Sequence, residues 1–249
     1  MTFYETINIF MMVESFITKS EGFKIKGVMH LPMQDSAPCV ICSHGLFSSK
    51  ESPKFIAIAE YLAEKGFVAI RYDHRGCGES EGKIEETTVS GRLKDLESVY
   101  IFSRRHPLVN GKIGLLGSSM GGFISLFTAA CYPSLMALTV WATPFELHKT
   151  KKDLKGEGYP LLKESFYKDL NRHQLIDVLG KIKHCLVLHG QDDELIPLWH
   201  AKKNYKNLGE PKNLEIFPGG DHRFTDDHNR KRAIDLSAKW FKRYLAFRA

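Results

Sequence analysis

The stretch that decides the fold is Lys112–Phe123, which reads KIGLLGSSMGGF. Its apolar first half is typical of a buried strand, and the residues from Met120 onward have the pattern of a helix. Between the two elements the chain reads Gly-x-Ser-x-Gly, with Gly117 and Gly121 two positions either side of Ser119. A strand that turns this tightly into a helix strains the backbone of the central residue and leaves no room for bulky neighbours. The spacing therefore predicts that Ser119 is held out above the carboxyl end of a sheet, where a nucleophile is placed.

Strands alternate with helices through most of the chain, which indicates an α/β fold with a mostly parallel central sheet of about eight strands and helices on both faces. An antiparallel hairpin is expected at one sheet edge, because the first two strands alternate apolar and polar residues around Glu21-Gly22. The segment 144–182 is long for a plain connection, so a single domain over 1–249 with a small cap insertion is predicted. Besides the strand that precedes Ser119, strands are predicted at 13–18, 24–31, 39–43, 67–72, 135–141, 185–190 and 213–217. Helices are predicted at 55–65, 88–105, 120–131, 161–170, 198–208 and 226–247.

Size and composition favour one globular domain of ordinary size. The chain has 249 residues, 43% of them hydrophobic, which is enough to bury one core. Its net charge of +6 is scattered without an aromatic-interleaved basic stripe, so a nucleic-acid partner is not expected. The N-terminus has no signal-peptide pattern, and no apolar run is long enough to cross a bilayer, so we expect a cytoplasmic protein without membrane insertion. Cys39-x-x-Cys42 has no second pair to complete a metal site, so the five cysteines are expected to be free thiols.

The loops after two later strands supply partners for the serine. A serine hydroxyl is a weak nucleophile near neutral pH and needs a base, which in turn needs an orienting carboxylate. His222 follows the last predicted strand, in a loop beside glycines, where its imidazole can reach over the sheet edge. Three neighbouring carboxylates, Asp192, Asp193 and Glu194, follow the strand before it and compete for the role of the acid. In proteins with such an elbow, the acid and then the histidine follow the serine along the chain, and this sequence has the same order.

With these motifs the sequence resembles the α/β-hydrolase family over nearly its whole length, which implies an α/β-hydrolase fold. His189–Pro197 (HGQDDELIP) matches the family pattern His-Gly-x-x-Asp-x-x-(Val/Ile)-Pro and puts Asp193 in the position of the acid. His44-Gly45 resembles the family's oxyanion loop, in which the histidine braces the loop. The resemblance therefore implies that the backbone N–H groups of Leu46 and Met120 bind the oxyanion.

We therefore expect a serine hydrolase that cleaves carboxylic esters of small to medium size through an acyl-enzyme. Within the family the sequence is most similar to cinnamoyl and feruloyl esterases and carboxylesterases. No metal and no organic cofactor is called for, the partner is a small-molecule ester, and a homodimer stays open. The aromatic residues expected to line the substrate pocket are Phe47, Trp141, Phe145 and Phe224.

Several alternatives remain at this point. The same three residues can cleave a thioester, an N-terminal peptide bond or a monoacylglycerol, and the family resemblance covers these activities. A peptidase needs an acidic group to hold the substrate amine, and a lipase at a membrane surface needs apolar cap residues that face outward. Acidic candidates in the cap are Glu157, Glu164 and Asp169, and apolar candidates are Leu161, Leu162 and Phe166. A non-catalytic receptor or scaffold is disfavoured, because such a protein has no need for an intact triad.

Overall fold

An eight-stranded sheet forms the centre of the structure, a computed structural model that describes residues 11–147 and 162–245. The strands are β1 (Met11–Ser20), β2 (Phe23–Pro32), β3 (Ala37–Ser43), β4 (Val68–Tyr72), β5 (Val109–Ser118), β6 (Leu135–Trp141), β7 (Cys185–Gly190) and β8 (Lys212–Phe217). They lie in the order β1-β2-β4-β3-β5-β6-β7-β8. The pairs β1/β2 and β2/β4 are antiparallel, and the remaining pairs are parallel. The predicted α/β class with a mostly parallel sheet is confirmed.

The first two strands form the predicted hairpin at a sheet edge. Their register runs from Met11 opposite Pro32 to Ser20 opposite Phe23. The turn places Glu21 and Gly22 at positive φ, a conformation that glycine adopts without steric cost. Most β1 side chains are exposed, whereas β3, β4 and β7 are buried throughout, because helices cover both faces of the parallel part.

Helices pack on both faces of the sheet. They are α1 (Pro53–Glu64), α2 (Val89–Ser103), α3 (Met120–Cys131), α4 (Glu164–Leu170), α5 (Trp199–Asn207) and α6 (Asp227–Leu245). Leu96 of α2 and Phe123 of α3 belong to one buried cluster, and Phe55 of α1 and Phe241 of α6 belong to the other. Each fully buried side chain of this size stabilises the fold by roughly 1.5–3 kcal/mol relative to its exposed state. The expectation of helices on both faces is therefore confirmed.

The described part of the predicted cap packs against the rest of the molecule. Short 3-10 turns follow α4 at Leu175–Asp177 and Leu179–Lys181. Leu162 and Phe166 are only 2% and 4% exposed and join the cluster that contains α2 and α3. They point inward, which is the opposite of the arrangement that a lipase at a membrane surface needs. Leu161, named with them, lies outside the described residues.

Two acidic residues of the cap are already engaged. The carboxylate of Asp169 accepts hydrogen bonds from the N–H and hydroxyl of Ser90, both at 2.7 Å. Glu164 pairs with Lys168 at 3.1 Å. The third acidic candidate, Glu157, lies outside the described residues. Asp169 thus ties α4 to the start of α2, which gives it a structural role.

All five cysteines are free, as expected, and four of them are buried. Burial raises the pKa of Cys42 to about 12 and that of Cys39 still further, so both thiols stay protonated. In the described ranges, no helix is both long and apolar enough to cross a bilayer.

Candidate active site

The turn between β5 and α3 has the geometry of a nucleophile elbow. Ser119 adopts φ 56° and ψ −123°, and its N–H donates to the Trp141 carbonyl at 2.8 Å. A methyl group on Gly121 would lie 2.0 Å from the Ser43 carbonyl oxygen, and one on Gly117 would lie 2.4 Å from the Gly121 carbonyl oxygen. Only glycine fits at these two positions, because the neighbouring atoms are backbone and have no room to move. The strained serine is held in place by the elements around it.

Ser119 borders a cavity of about 320 Å³ at the carboxyl end of the sheet. His222 borders the same cavity, as do Leu46, Phe47 and Met120. The described residues that line it are Gly45, Leu46, Phe47, Ser48, Ser52, Lys54, Phe55, Ser118, Ser119, Met120, Leu147, Phe166, Tyr167, Leu170, Leu195, Ile196, His222 and Arg223. Five of the predicted site residues therefore meet around one space, with α4 of the cap forming part of its wall.

Asp193 and His222 lie in direct contact. The Nδ1 of His222 is 2.9 Å and 3.0 Å from the two carboxylate oxygens of Asp193, and both residues are 8% exposed. The Asp193 carboxylate also accepts the backbone N–H groups of Leu195 at 3.0 Å and Ile196 at 2.7 Å. Burial alone would raise the pKa of Asp193, but the hydrogen bond from His222 and the backbone donors hold it below its ordinary value. The carboxylate therefore stays charged and fixes Nδ1 as a donor, which leaves Nε2 to accept a proton.

The structure separates the three carboxylates that the sequence leaves in competition. Asp192 is exposed, and Glu194 accepts the backbone N–H of His222 at 3.1 Å rather than its ring. His189 contacts the loop that carries these carboxylates, since its Nε2 lies 2.7 Å from the Ile196 carbonyl oxygen. Asp193 is thus the carboxylate of the three that the fold brings to the imidazole.

The predicted oxyanion loop at His44-Gly45 lies against Ser119. A methyl group on Gly45 would be 3.4 Å from Cβ and 3.9 Å from Oγ of Ser119. His44 donates from Nδ1 to the Gly45 carbonyl at 2.7 Å and accepts the His74 N–H at Nε2 at 3.0 Å. Burial lowers the pKa of His44 well below its usual range, which keeps the ring neutral and suited to both bonds. This is the bracing role expected for His44.

Arg92 of α2 holds the same loop, a role that the sequence does not reveal. Its guanidinium is fully buried and donates from Nη2 to the Leu46 carbonyl at 2.9 Å. Its Nε donates to the Thr87 hydroxyl at 3.0 Å. The pattern around Arg92 is that of an amphipathic helix, and no local signal separates a buried arginine from a solvated one there.

Three of the four aromatic residues expected in the pocket are placed elsewhere. Trp141 and Phe224 are fully buried in the cluster that contains α6, with ring centroids 5.0 Å apart. Phe145 packs beside α5, where its N–H donates to Nδ1 of His200 at 3.1 Å. Among the described residues, none of these three lines the cavity, whereas Phe47 does. These three rings are buried because helices cover both faces of the sheet and large apolar side chains near its edge pack into the core. The other aromatic lining residues are Phe55, Phe166 and Tyr167.

The charged groups in the described cavity wall are cations, Lys54 and Arg223. The ammonium of Lys54 donates to the Ser118 hydroxyl at 2.9 Å.

Within residues 11–147 and 162–245, no group of three or more His, Cys, Asp or Glu side chains is arranged to hold a metal ion.

Comparison with known proteins agrees with this geometry. Residues 38–184 match the family model described as the alpha/beta hydrolase fold. The chain belongs to the alpha/beta hydrolase family. Among curated proteins similar to this chain, the mitochondrial palmitoyl-protein thioesterase ABHD10 of Bos taurus is 25% identical over 248 residues, which covers 89% of this chain and 76% of that protein. The uncharacterized protein YfhR of Escherichia coli is 28% identical over 215 residues, which covers 82% of this chain and 72% of that protein.

A solved structure is also similar to this hydrolase. Est1E from Butyrivibrio proteoclasticus, in its complex with ferulic acid, superposes with a TM-score of 0.84 at 21% sequence identity. The match covers 93% of this chain and 100% of that one. The similarity extends the fold assignment beyond the residues of the family model to nearly the whole chain.

Proposed function

We propose that this hydrolase cleaves carboxylic esters of small to medium size through an acyl-enzyme intermediate. The observation that carries the proposal is the shared cavity of Ser119 and His222, with the imidazole held at 2.9 Å by the buried carboxylate of Asp193. A strained serine, a histidine and a buried acid in this chain order are what acyl transfer needs. The membership of the alpha/beta hydrolase family supports the same chemistry.

The reaction follows from the roles of these groups. Ser119 Oγ attacks the substrate carbonyl while Nε2 of His222 takes the hydroxyl proton. Asp193 stabilises the imidazolium that forms. The backbone N–H groups of Leu46 and Met120 bind the developing oxyanion, each lowering the barrier by roughly 3 kcal/mol. The imidazolium then gives its proton to the departing alcohol, and a water molecule activated by the same histidine releases the acid.

The cavity supports substrates of modest size. Its volume of about 320 Å³ is near the lower end of the range for small-molecule sites. Much of its wall is apolar and includes Phe166 and Leu170 from α4 and Leu195 and Ile196 from the segment after β7. Such a wall suits a short or medium acyl chain.

A thioester is the second candidate substrate, and a specific observation favours it. The relatives named as palmitoyl-protein thioesterases align with 85% to 89% of this chain. The proposed machinery serves both bonds, since it acts on the carbonyl in each case. A thiolate leaves without prior protonation, so the thioester asks less of His222 as a general acid.

The experiment that tests the proposal measures kcat/KM for p-nitrophenyl esters from acetate to laurate, methyl ferulate and a butanoyl thioester. Ser119→Ala is expected to lower kcat/KM by at least about 10³-fold, since loss of the nucleophile leaves only binding and the oxyanion donors. Ser98→Ala is the matched control, because in the part of the chain that the structure describes the Ser98 hydroxyl bonds only to the Asp95 carbonyl of its own helix. If folded wild-type protein turns over none of these substrates, or if Ser119→Ala retains the activity, the proposal is wrong.

A further inference from the structure

The charge in the wall of the active-site cavity has one sign. Lys54 and Arg223 both line the cavity, and the described lining contains no aspartate or glutamate. The remaining lining residues are apolar or neutral apart from His222. A concave site with cations and low-polarity walls concentrates a positive potential, which attracts anions.

Lys54 differs from a lysine that stabilises the fold through ion pairs. Its ammonium donates to Ser118 Oγ at 2.9 Å and lies 5.8 Å and 5.9 Å from the ring centroids of Phe55 and Trp141. Within the described ranges, no carboxylate comes within 4.0 Å of its Nζ. Lys50, four residues earlier, shows the contrast, since it pairs with Asp73 at 3.1 Å and with Glu79 at 2.6 Å.

The electrostatic surroundings of Lys54 agree with an ammonium that lacks a close counterion. Burial lowers its pKa to about 8, while Asp221 and Asp193 act to raise it and Arg223 and Arg230 to lower it. An ammonium has three donors, and within the described residues Lys54 makes one hydrogen bond, to Ser118, which leaves capacity for a ligand. A bound anion would offset part of the desolvation that this group undergoes.

The position of Lys54 places such a ligand beside the reacting atoms. Its hydrogen-bond partner, Ser118, directly precedes Ser119 in the elbow, and all three residues line the same cavity. We propose that Lys54 forms a subsite for a carboxylate of the substrate, so that the enzyme prefers esters or thioesters that carry a carboxylate near the scissile bond. This inference rests on the proposed hydrolase function and adds a substrate class to it.

The first test compares substrates that differ only in this charge. One pair carries it in the acyl group, namely mono-p-nitrophenyl glutarate and the neutral p-nitrophenyl glutaramate. The other pair carries it in the leaving group, namely meta-carboxyphenyl butanoate and meta-carbamoylphenyl butanoate. The ratio of kcat/KM for the anionic to the neutral member is measured for each pair, and the pair that shows the preference tells which side of the scissile bond Lys54 serves.

In Lys54→Met this ratio is expected to fall about tenfold for one pair, the usual effect of losing a charged hydrogen bond. Lys54→Arg should retain much of the preference, since it keeps the charge. Lys231→Met is the matched control, because Lys231 is exposed on α6, and it should leave the ratio as in wild type. Equal ratios in wild type and Lys54→Met for both pairs would overturn the inference and leave Lys54 as a brace for Ser118.

A binding measurement separates this inference from the proposed function. Calorimetry on Ser119→Ala compares benzoate with benzamide and needs no turnover. Benzoate is expected to bind about tenfold more tightly, and the difference should vanish in the Ser119→Ala, Lys54→Met double variant. Absence of ester turnover with this preference intact would count against the function alone. Equal affinities for benzoate and benzamide in Ser119→Ala would count against the subsite.

Discussion

At the residue scale, the unusual group next to the predicted oxyanion loop is Arg92, which donates to the Leu46 carbonyl. Burying a guanidinium is costly unless its donors are satisfied, and in the described part of the chain no carboxylate lies within 4.0 Å of this one. Its Nε and Nη2 donate to the Leu46 carbonyl, the Thr87 hydroxyl and the Cys77 sulfur, whereas its buried Nη1 has no hydrogen-bond partner among the described residues. The arginine thereby fixes the peptide next to the proposed oxyanion donor.

Replacing that arginine should affect catalysis more than substrate binding. Arg92→Met removes the donor to the Leu46 carbonyl, so the position of the loop is less fixed and its N–H group stabilises the oxyanion less in the transition state. We expect kcat for a p-nitrophenyl ester to fall about tenfold with little change in KM, together with a loss of about 1–3 kcal/mol of unfolding free energy. Arg105→Met, at an exposed position, is the control. A variant with wild-type kcat would show that Leu46 needs no support from α2.

At the scale of the elements, the sequence predicts the fold well, and the reasons are visible in particular segments. The run at 185–190 is apolar apart from His189 and becomes β7 with the same bounds, since a strand covered on both faces has no solvent-facing side. The helix predicted at 55–65 ends one residue earlier, at Glu64, and Gly66 follows at φ +87°. Periodicity and glycine are local signals, and these elements depend on little else.

The cavity wall is less predictable, because it depends on which elements meet. Trp141 ends β6 and Phe224 lies in the loop that carries His222, yet both rings pack in the cluster that contains α6. Lys54 lies in a predicted loop just before the first helix, and nothing local indicates that its ammonium reaches Ser118, 64 positions away. Asp193 could be chosen over its neighbours only through the resemblance to a family pattern, since burial of one carboxylate in three is a tertiary property.

At the scale of the whole molecule, buried neutral histidines make stability depend on pH. Burial lowers the pKa of His30 and His74 to about 4, against an ordinary value of 6.5. Between these values the unfolded chain binds protons that the folded chain does not, so the free energy of unfolding rises with pH in this window. Asp95 acts at lower pH. Despite burial, His74 and Arg75 lower its pKa from an ordinary 3.8 to about 2. Its contribution to the free energy of unfolding is therefore lost as the pH falls from 3.8 to about 2.

Urea denaturation from about pH 4 to about pH 8 measures this dependence. The free energy of unfolding is expected to increase from about pH 4 to about pH 6.5, by up to about 1.4 kcal/mol per pH unit for each such histidine, and to level off above. His228→Gln, which changes an exposed histidine, should leave the curve as in wild type. A flat profile across this range would mean that these rings take up protons in the folded state as readily as in the unfolded one.

The central claim is that Ser119 is a nucleophile activated by His222, and covalent labelling tests it most directly. The folded protein is treated with a fluorophosphonate, and the site of the adduct is located by peptide mass spectrometry. We expect one adduct, on Ser119, which is absent from Ser119→Ala and forms much more slowly in His222→Ala. An adduct on another residue, or no adduct on folded wild-type protein, would contradict it.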